Sequence, residues 1–409
     1  MNPLLPELCC MPDAEAHVMP DGRLYLYGSW DISGSPYYCS DVLHTFSTDD
    51  MVHFTDHGVI FENSDNHRGM SWSSNPLLYA PDAIHKDGKY YLYVCADHGE
   101  EGVAVADRPE GPFSDAEPVV GADGRGIDPA IFVDEDGQAY YLWGQFSLHG
   151  GKLADDMKTI IPGSEKTDIL TEWEHGFHEG SSLRRRGDRY YIVYTDIARG
   201  RATCLSYAVA DHPLGPYTKG GVIIDNVYCD PQSWNNHGSI ECFGGQWYVF
   251  YHRSSHNSNT SRRVCAEPIF FDENGMIAEV QQTSSGAEWA LSPHLIPARS
   301  TCRMMGACYI TACDGREVLQ SGGGNHWGQR DWAEYRYIDF GDGSVSKASF
   351  CVRGSGSITV KTEDGEVCAV SFAADDFETV TAPMAKIVGR RAIWLFLEGD
   401  FVLREFGFQ

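Results

Sequence analysis

Five segments of this chain repeat one grammar, and a repeat of that kind restricts the possible folds more than any composition does. Each segment has an acidic or His-bearing turn, a few apolar residues, a Gly turn and an aromatic-rich strand. The first three read Pro12-Asp13-Ala14 before LYLYGS, Pro81-Asp82-Ala83 before YYLYVC, and Asp128-Pro129-Ala130 before AYYLWG. The last two read Glu179-Gly180-Ser181 before YYIVYT and His237-Gly238-Ser239 before WYVFYH. The anchors Asp13, Asp82, Asp128, Glu179 and His237 are separated by 69, 46, 51 and 58 residues, room for about four short strands per unit, the size of a propeller blade. Two further echoes support the period: VADRPEGPF at 105–113 against VADHPLGPY at 209–217, and Asp49-Asp50-Met51 against Asp155-Asp156-Met157. Long stretches with apolar residues at helical spacing are missing, so the spacing predicts an all-β chain opening with a five-bladed β-propeller.

The pattern changes at LSPHLIPARST (291–301), which carries two prolines and no strand alternation and is expected to be a linker. Residues 1–296 are assigned to the propeller. Residues 300–409 contain short alternating runs such as YRYIDFG, SITVKT and FVLREFGF, and are expected to form a β-sandwich.

Lys and Arg number 31 against 58 Asp and Glu, a net charge of −27, which repels phosphate backbones and anionic lipid surfaces and excludes nucleic acid and membrane as natural partners. A neutral ligand fits this balance. The first ten residues hold no Lys or Arg and no long apolar run, so neither a leader nor an anchor is expected there. Thirteen scattered cysteines without a zinc-like pair predict reduced thiols and a cytoplasmic location.

The innermost strand of each blade lines the central channel, so the five anchors are expected to converge. Four carboxylates and an imidazole at one axis are costly to desolvate without a purpose or a cation. Paired carboxylates suit glycoside hydrolysis, where a protonated acid serves the leaving oxygen and an ionised base activates water on the opposite face. A third carboxylate beside the acid would keep it protonated by like-charge repulsion. Aromatic side chains offer flat faces to sugar rings. Trp30 and Trp72, next to inner-blade segments, are candidate substrate platforms, with core packing as the competing role.

On these motifs residues 8–290 resemble glycoside hydrolase family 43, five-bladed propellers acting by inversion on arabinose- and xylose-containing glycans. The resemblance implies that Asp13 is the general base, Glu179 the general acid and Asp128 the residue that orients the acid and raises its pKa. In an inverting enzyme the base and acid stand about 6.5 to 9.5 Å apart. Here Pro precedes the first acid, in PDAEAH, and Glu15 shares a strand face with Asp13 and rivals it as the base. Asp82, in A-P-D, is implied to shape the substrate pocket floor. Arg262 is implied to reach sugar hydroxyls, with Arg263 its competitor. His237 resembles the family's blade-five His beside a channel calcium, against a metal-free, hydrogen-bonded role. No organic cofactor is implied. The C-terminal part resembles a shortened family 6 carbohydrate-binding module, in which Trp327 is the candidate platform and packing against the propeller the competing role.

The expected activity is release of terminal α-L-arabinofuranose from arabinose- and xylose-containing oligosaccharides through a closed pocket. β-D-xylosidase or dual activity is the alternative. A sugar-binding propeller without catalysis and a retaining fructan-processing enzyme are the rivals.

Overall fold

The computed structural model describes residues 1–64, 69–122, 124, 126–322 and 330–409. Five small antiparallel sheets follow one another along the chain. Blade one is β1 (Glu15–Val18), β2 (Leu24–Ser29), β3 (Val42–Thr48) and β4 (Phe54–Glu62). Blade two is β5 (Tyr79–Lys86), β6 (Lys89–Ala96), β7 (Glu100–Ala106) and β8 (Glu117–Pro118), and blade three is β9 (Ala130–Val133), β10 (Ala139–Trp143) and β11 (His149–Lys152). Blade four is β12 (Phe177–Arg186), β13 (Arg189–Asp196), β14 (Cys204–Ala210) and β15 (Thr218–Asp225), and blade five is β16 (Ile240–Phe243), β17 (Gln246–Ser255) and β18 (Ser258–Ile269).

The apolar residues of the blades gather into five separate clusters. Each fills the wedge between two neighbouring blades, the last joining blade five to blade one through Phe250, Val264, Leu24 and Phe46. This explains the aromatic second strands. Flat rings fill a wedge between twisted sheets, and a buried hydroxyl then needs a partner. Tyr27 Oη donates to Pro109 O (2.7 Å), Tyr93 Oη to Met157 O (2.6 Å) and Tyr191 Oη to Gly275 O (2.8 Å), each linking a blade to later backbone.

Blade five has three strands, and the N-terminal residues run beside its outer one. Leu4 N donates to Val264 O (3.0 Å), and Ala266 N donates to the Asn2 side-chain oxygen (3.0 Å). The first and last parts of the propeller chain are thereby fastened together.

The remaining strands are β19 (Ile296–Pro297), β20 (Arg303–Met305), β21 (Tyr309–Cys313), β22 (Arg316–Gln320), β23 (Asp331–Asp339), β24 (Lys347–Thr362), β25 (Gly365–Pro383) and β26 (Arg390–Phe408). They form one hydrogen-bonded set of eight over a single core. Two features differ from the sequence reading. The proline-bearing stretch around 291–301 carries β19, and Leu291 and Ile296 already lie in the second core. The short runs between 347 and 408 merge into strands of 16, 19 and 19 residues. Glycines permit the merging: at Gly354 (φ 113°) a Cβ would strike the Asp400 carbonyl, so β24 and β26 approach and bend there as no side chain would allow.

Candidate active site

The turn before the innermost strand of a blade sets where its anchor points. Asp13 (φ 57°) and Asp128 (φ 59°) both adopt the left-handed conformation, which Asp tolerates better than most residues, immediately before β1 and β9. Glu179 lies within β12, next to Gly180 (φ 68°), at a shift in pairing register with β13. These turns aim all three carboxyls, with His237, at one cavity of about 270 Å³.

Asp82 does not join them. In β5 the register with β6 slips between Tyr79 and Asp82, so Ala80 reaches the cavity and Asp82 is buried beneath it. Its oxygens are taken: His17 Nε2 lies 2.7 Å from Oδ1, and Ile131 N donates to Oδ2 at 2.7 Å. Asp82, expected to shape the substrate pocket floor, is therefore not part of the cavity wall and supports it from beneath through His17 and Ile131. The two tryptophans are likewise absent from the wall. Trp30 stacks on His44 (3.8 Å between centroids), and Trp72 donates its indole N–H to Ala116 O (3.0 Å), so both pack within blades and neither lines the cavity. Trp327 lies outside the described residues.

The Arg262 and Arg263 pair separates as strand alternation requires. Arg262 lines the cavity; its Nη1 donates to Asp13 Oδ1 (3.0 Å), while Nε and Nη2 grip Asp31 at 2.9 and 2.8 Å. Arg263 points to the second set of strands and donates to Glu317 (3.1 Å). Burial alone would raise the Asp13 carboxyl, but the guanidinium of Arg262, with His252 and His237, more than offsets it and holds Asp13 well below the usual carboxylate range. Asp13 Oδ1 faces Arg262 and His252 (3.4 Å), whereas Oδ2 meets the Cys39 thiol at 3.9 Å. His252 thus spans two partners, with Nδ1 beside Asp13 and Nε2 3.1 Å from Asn235 O.

Asp128 behaves oppositely. Burial first, then the charges of Glu179 and Asp13, push it well above the usual range. Glu179 is half-buried and accepts from Gln145 Nε2 at 2.7 Å. The site thus holds one ionised carboxylate, Asp13, and beside Glu179 a carboxyl, Asp128, that keeps its proton. Glu15 is buried below the cavity, bonded to Ser182 (3.0 Å) and Arg184 (3.1 Å), and does not compete for the base position.

His237 Nδ1 stands 3.9 Å from Asp13 and 3.8 Å from Asp128, and burial holds its imidazole below the ordinary value. Calcium takes six to eight oxygen ligands. Among the described residues, the potential ligand group at the axis is Glu15, His17 and Asp82, which excludes His237 and is already shared with the Arg184 guanidinium. The residues present do not fit a calcium ion held by His237.

Sequence reasoning missed part of the wall: Tyr38, whose ring carries the Arg262 guanidinium at 4.9 Å, Gln145, His178, and Trp234 with Asn235. Gln145 follows AYYLWG directly, and Trp234 and Asn235 precede the His237 anchor, so adjacency to the repeat was the available signal.

A five-bladed propeller that brings the carboxyls of Asp13, Asp128 and Glu179 to one axial cavity carries the groups that glycoside hydrolysis uses, and the chain is a glycoside hydrolase. The chain belongs to glycosyl hydrolases family 43, whose model matches residues 4–277. It is 33% identical over 330 residues to a xylosidase/arabinosidase of Thermoclostridium stercorarium, covering 70% of this chain and 67% of that protein. A β-xylosidase/α-arabinofuranosidase from a compost microbial metagenome, solved with xylotriose in a calcium-free form, is 29% identical with a TM-score of 0.59, covering 68% of this chain and 97% of that one. The arabinoxylan arabinofuranohydrolase of Bacillus subtilis, solved with cellotetraose, matches in fold along 100% of this chain and 97% of its own, with a TM-score of 0.60 at 23% identity.

Proposed function

We propose that this enzyme removes a terminal pentose from arabinose- and xylose-containing oligosaccharides with inversion, α-L-arabinofuranose being the preferred sugar. The observation that carries the reading is the opposite electrostatic treatment of Asp13 and Asp128 across one cavity. Asp13, kept ionised by Arg262, accepts a proton from water through its less engaged Oδ2 as that water attacks the anomeric carbon. Glu179 donates a proton to the departing oxygen. Gln145 occupies Glu179 Oε2, so Oε1 is the oxygen available to carry that proton. Asp128, deeper than Glu179, opposes ionisation of the pair until the sugar–oxygen bond breaks. The cavity, about 270 Å³, lies below the roughly 300–1,000 Å³ of sites for drug-sized ligands and supports recognition of a single sugar unit at a chain end.

β-D-xylose is the second reading, favoured by the double naming of the Thermoclostridium relative as xylosidase/arabinosidase. Initial rates on aryl α-L-arabinofuranoside and aryl β-D-xylopyranoside, for the wild type and Asp13→Asn, test both. An aryl group leaves without much help from an acid, so the base variant is the informative one. Activity on either sugar that vanishes in Asp13→Asn supports the reading and ranks the pentoses; equal rates in the variant overturn the role of Asp13, and inactivity on both sugars overturns the pentose assignment.

A further inference from the structure

Below the catalytic cavity the propeller axis holds a second buried charge cluster, which the hydrolytic chemistry leaves unused. Glu15, His17, Asp82 and Arg184 are all at most 7% exposed. Glu15, His17 and Asp82 bring potential ligand atoms within 4.8 Å of one another. The Arg184 guanidinium lies among them. Its Nη2 donates to Glu15 Oε2 (3.1 Å) and Ala16 O (2.7 Å), Nη1 to Leu183 O (2.9 Å), and Nε to Glu241 (3.1 Å). His17 Nε2 is 3.3 Å from Nη2 but 2.7 Å from Asp82, so its proton belongs to the Asp82 bond and the arginine is its Coulombic neighbour.

The contacts draw on all five blades. Asp82 of blade two accepts from Ile131 N of blade three and binds His17 of blade one. Glu15 of blade one accepts from Ser182 of blade four, and Arg184 of blade four reaches Glu241 of blade five. Inner strands that carry acids toward one axis need a positive charge between them, and a guanidinium supplies it with five donors in a fixed plane. One acceptor remains over: Glu15 Oε1 is buried without a hydrogen-bond partner.

We infer that Arg184 is the built-in cation of this propeller axis, holding the place between Glu15, His17 and Asp82 that a divalent metal ion would otherwise take, and that removing its charge opens a divalent-cation site there. This cluster therefore needs no metal ion of its own. Arg184 is a positioning residue: it fixes β1, two residues beyond the Asp13 turn.

The test compares wild type, Arg184→Met and Arg184→Lys after dialysis against a chelator, with and without calcium chloride, by calorimetric titration and thermal unfolding. The wild type shows no saturable calcium heat and the same Tm in both conditions. Arg184→Met, with the stem but not the charge, unfolds at lower temperature in chelator, binds calcium, and regains about 5 °C at saturation. Arg184→Lys, which keeps the charge, stays indifferent to calcium. A wild type that binds calcium or loses Tm on chelation overturns the inference, as does a folded Arg184→Met that ignores the ion. If Arg184→Met fails to fold, a calcium-responsive Arg184→Lys overturns it and an indifferent one supports it. These readouts are independent of which sugar is cleaved.

Discussion

At the scale of single residues the catalytic site is an exercise in opposing burial. Asp13 and Asp128 are equally buried, and what separates them is one guanidinium on the side of Asp13 and one extra carboxylate on the side of Asp128. Arg262→Met removes the charge that offsets the desolvation of Asp13. The base then ionises only at higher pH, so the acid limb of kcat/KM moves upward and the maximum falls about a hundredfold. Arg262→Lys, with its charge retained, should keep the limb nearer the wild-type position; identical limbs in both variants would remove Arg262 from the control of the base. Asp128→Asn acts on the other limb. Without the neighbouring carboxyl the site gives up its proton at lower pH, so the alkaline limb moves downward, and a pH–rate profile with an unmoved limb contradicts that role for Asp128.

The element scale shows why some of this was legible in the sequence. A turn, an inner strand, a Gly turn and an aromatic strand recur because every blade solves the same two problems: filling a wedge and aiming one residue at the axis. That periodicity exposes the propeller and brings Asp13, Asp128, Glu179 and His237 to one cavity. It misplaces Asp82, because a shift in pairing register inside β5 leaves no mark on residue type. It also selects Trp30 and Trp72, which pack within blades, over Trp234, whose loop position carries no periodic signal. Alternation alone reduces the arginine choice to Arg262 or Arg263, and only the partners on either face decide it. Trp234 lines the cavity and is 54% exposed, so it contributes little to the core. Trp234→Ala should leave Tm unchanged and raise KM roughly fivefold, the loss of about 1 kcal/mol of ring stacking. An unchanged KM would mean that substrate does not reach this face.

At the scale of the whole molecule, the propeller and the following strands are joined through charge as well as apolar contact. Glu317 of β22 is fully buried between Arg263 of blade five (3.1 Å) and Arg299 (3.6 Å), and its Oε1 has no hydrogen-bond partner. Arg253 of β17 donates to Thr301 O (3.4 Å), and Ser285 N donates to Arg336 O (2.9 Å). Two buried guanidiniums facing one carboxylate make that carboxylate hard to replace. Glu317→Gln takes the nearest counter-charge from both arginines in low dielectric, and breaking such a buried group costs about 3 kcal/mol or more. Urea unfolding of Glu317→Gln should show that loss. Residues 1–296 alone, which lack Glu317 altogether, should be poorly soluble and less stable than the full chain, since Leu291 and Ile296 would lose the core in which they are buried. Arg263 adjoins Arg262 on one strand, so the interface also supports the backbone that presents the guanidinium to Asp13. A fully stable and active 1–296 fragment would show that the propeller holds its own axis and base without the second set of strands.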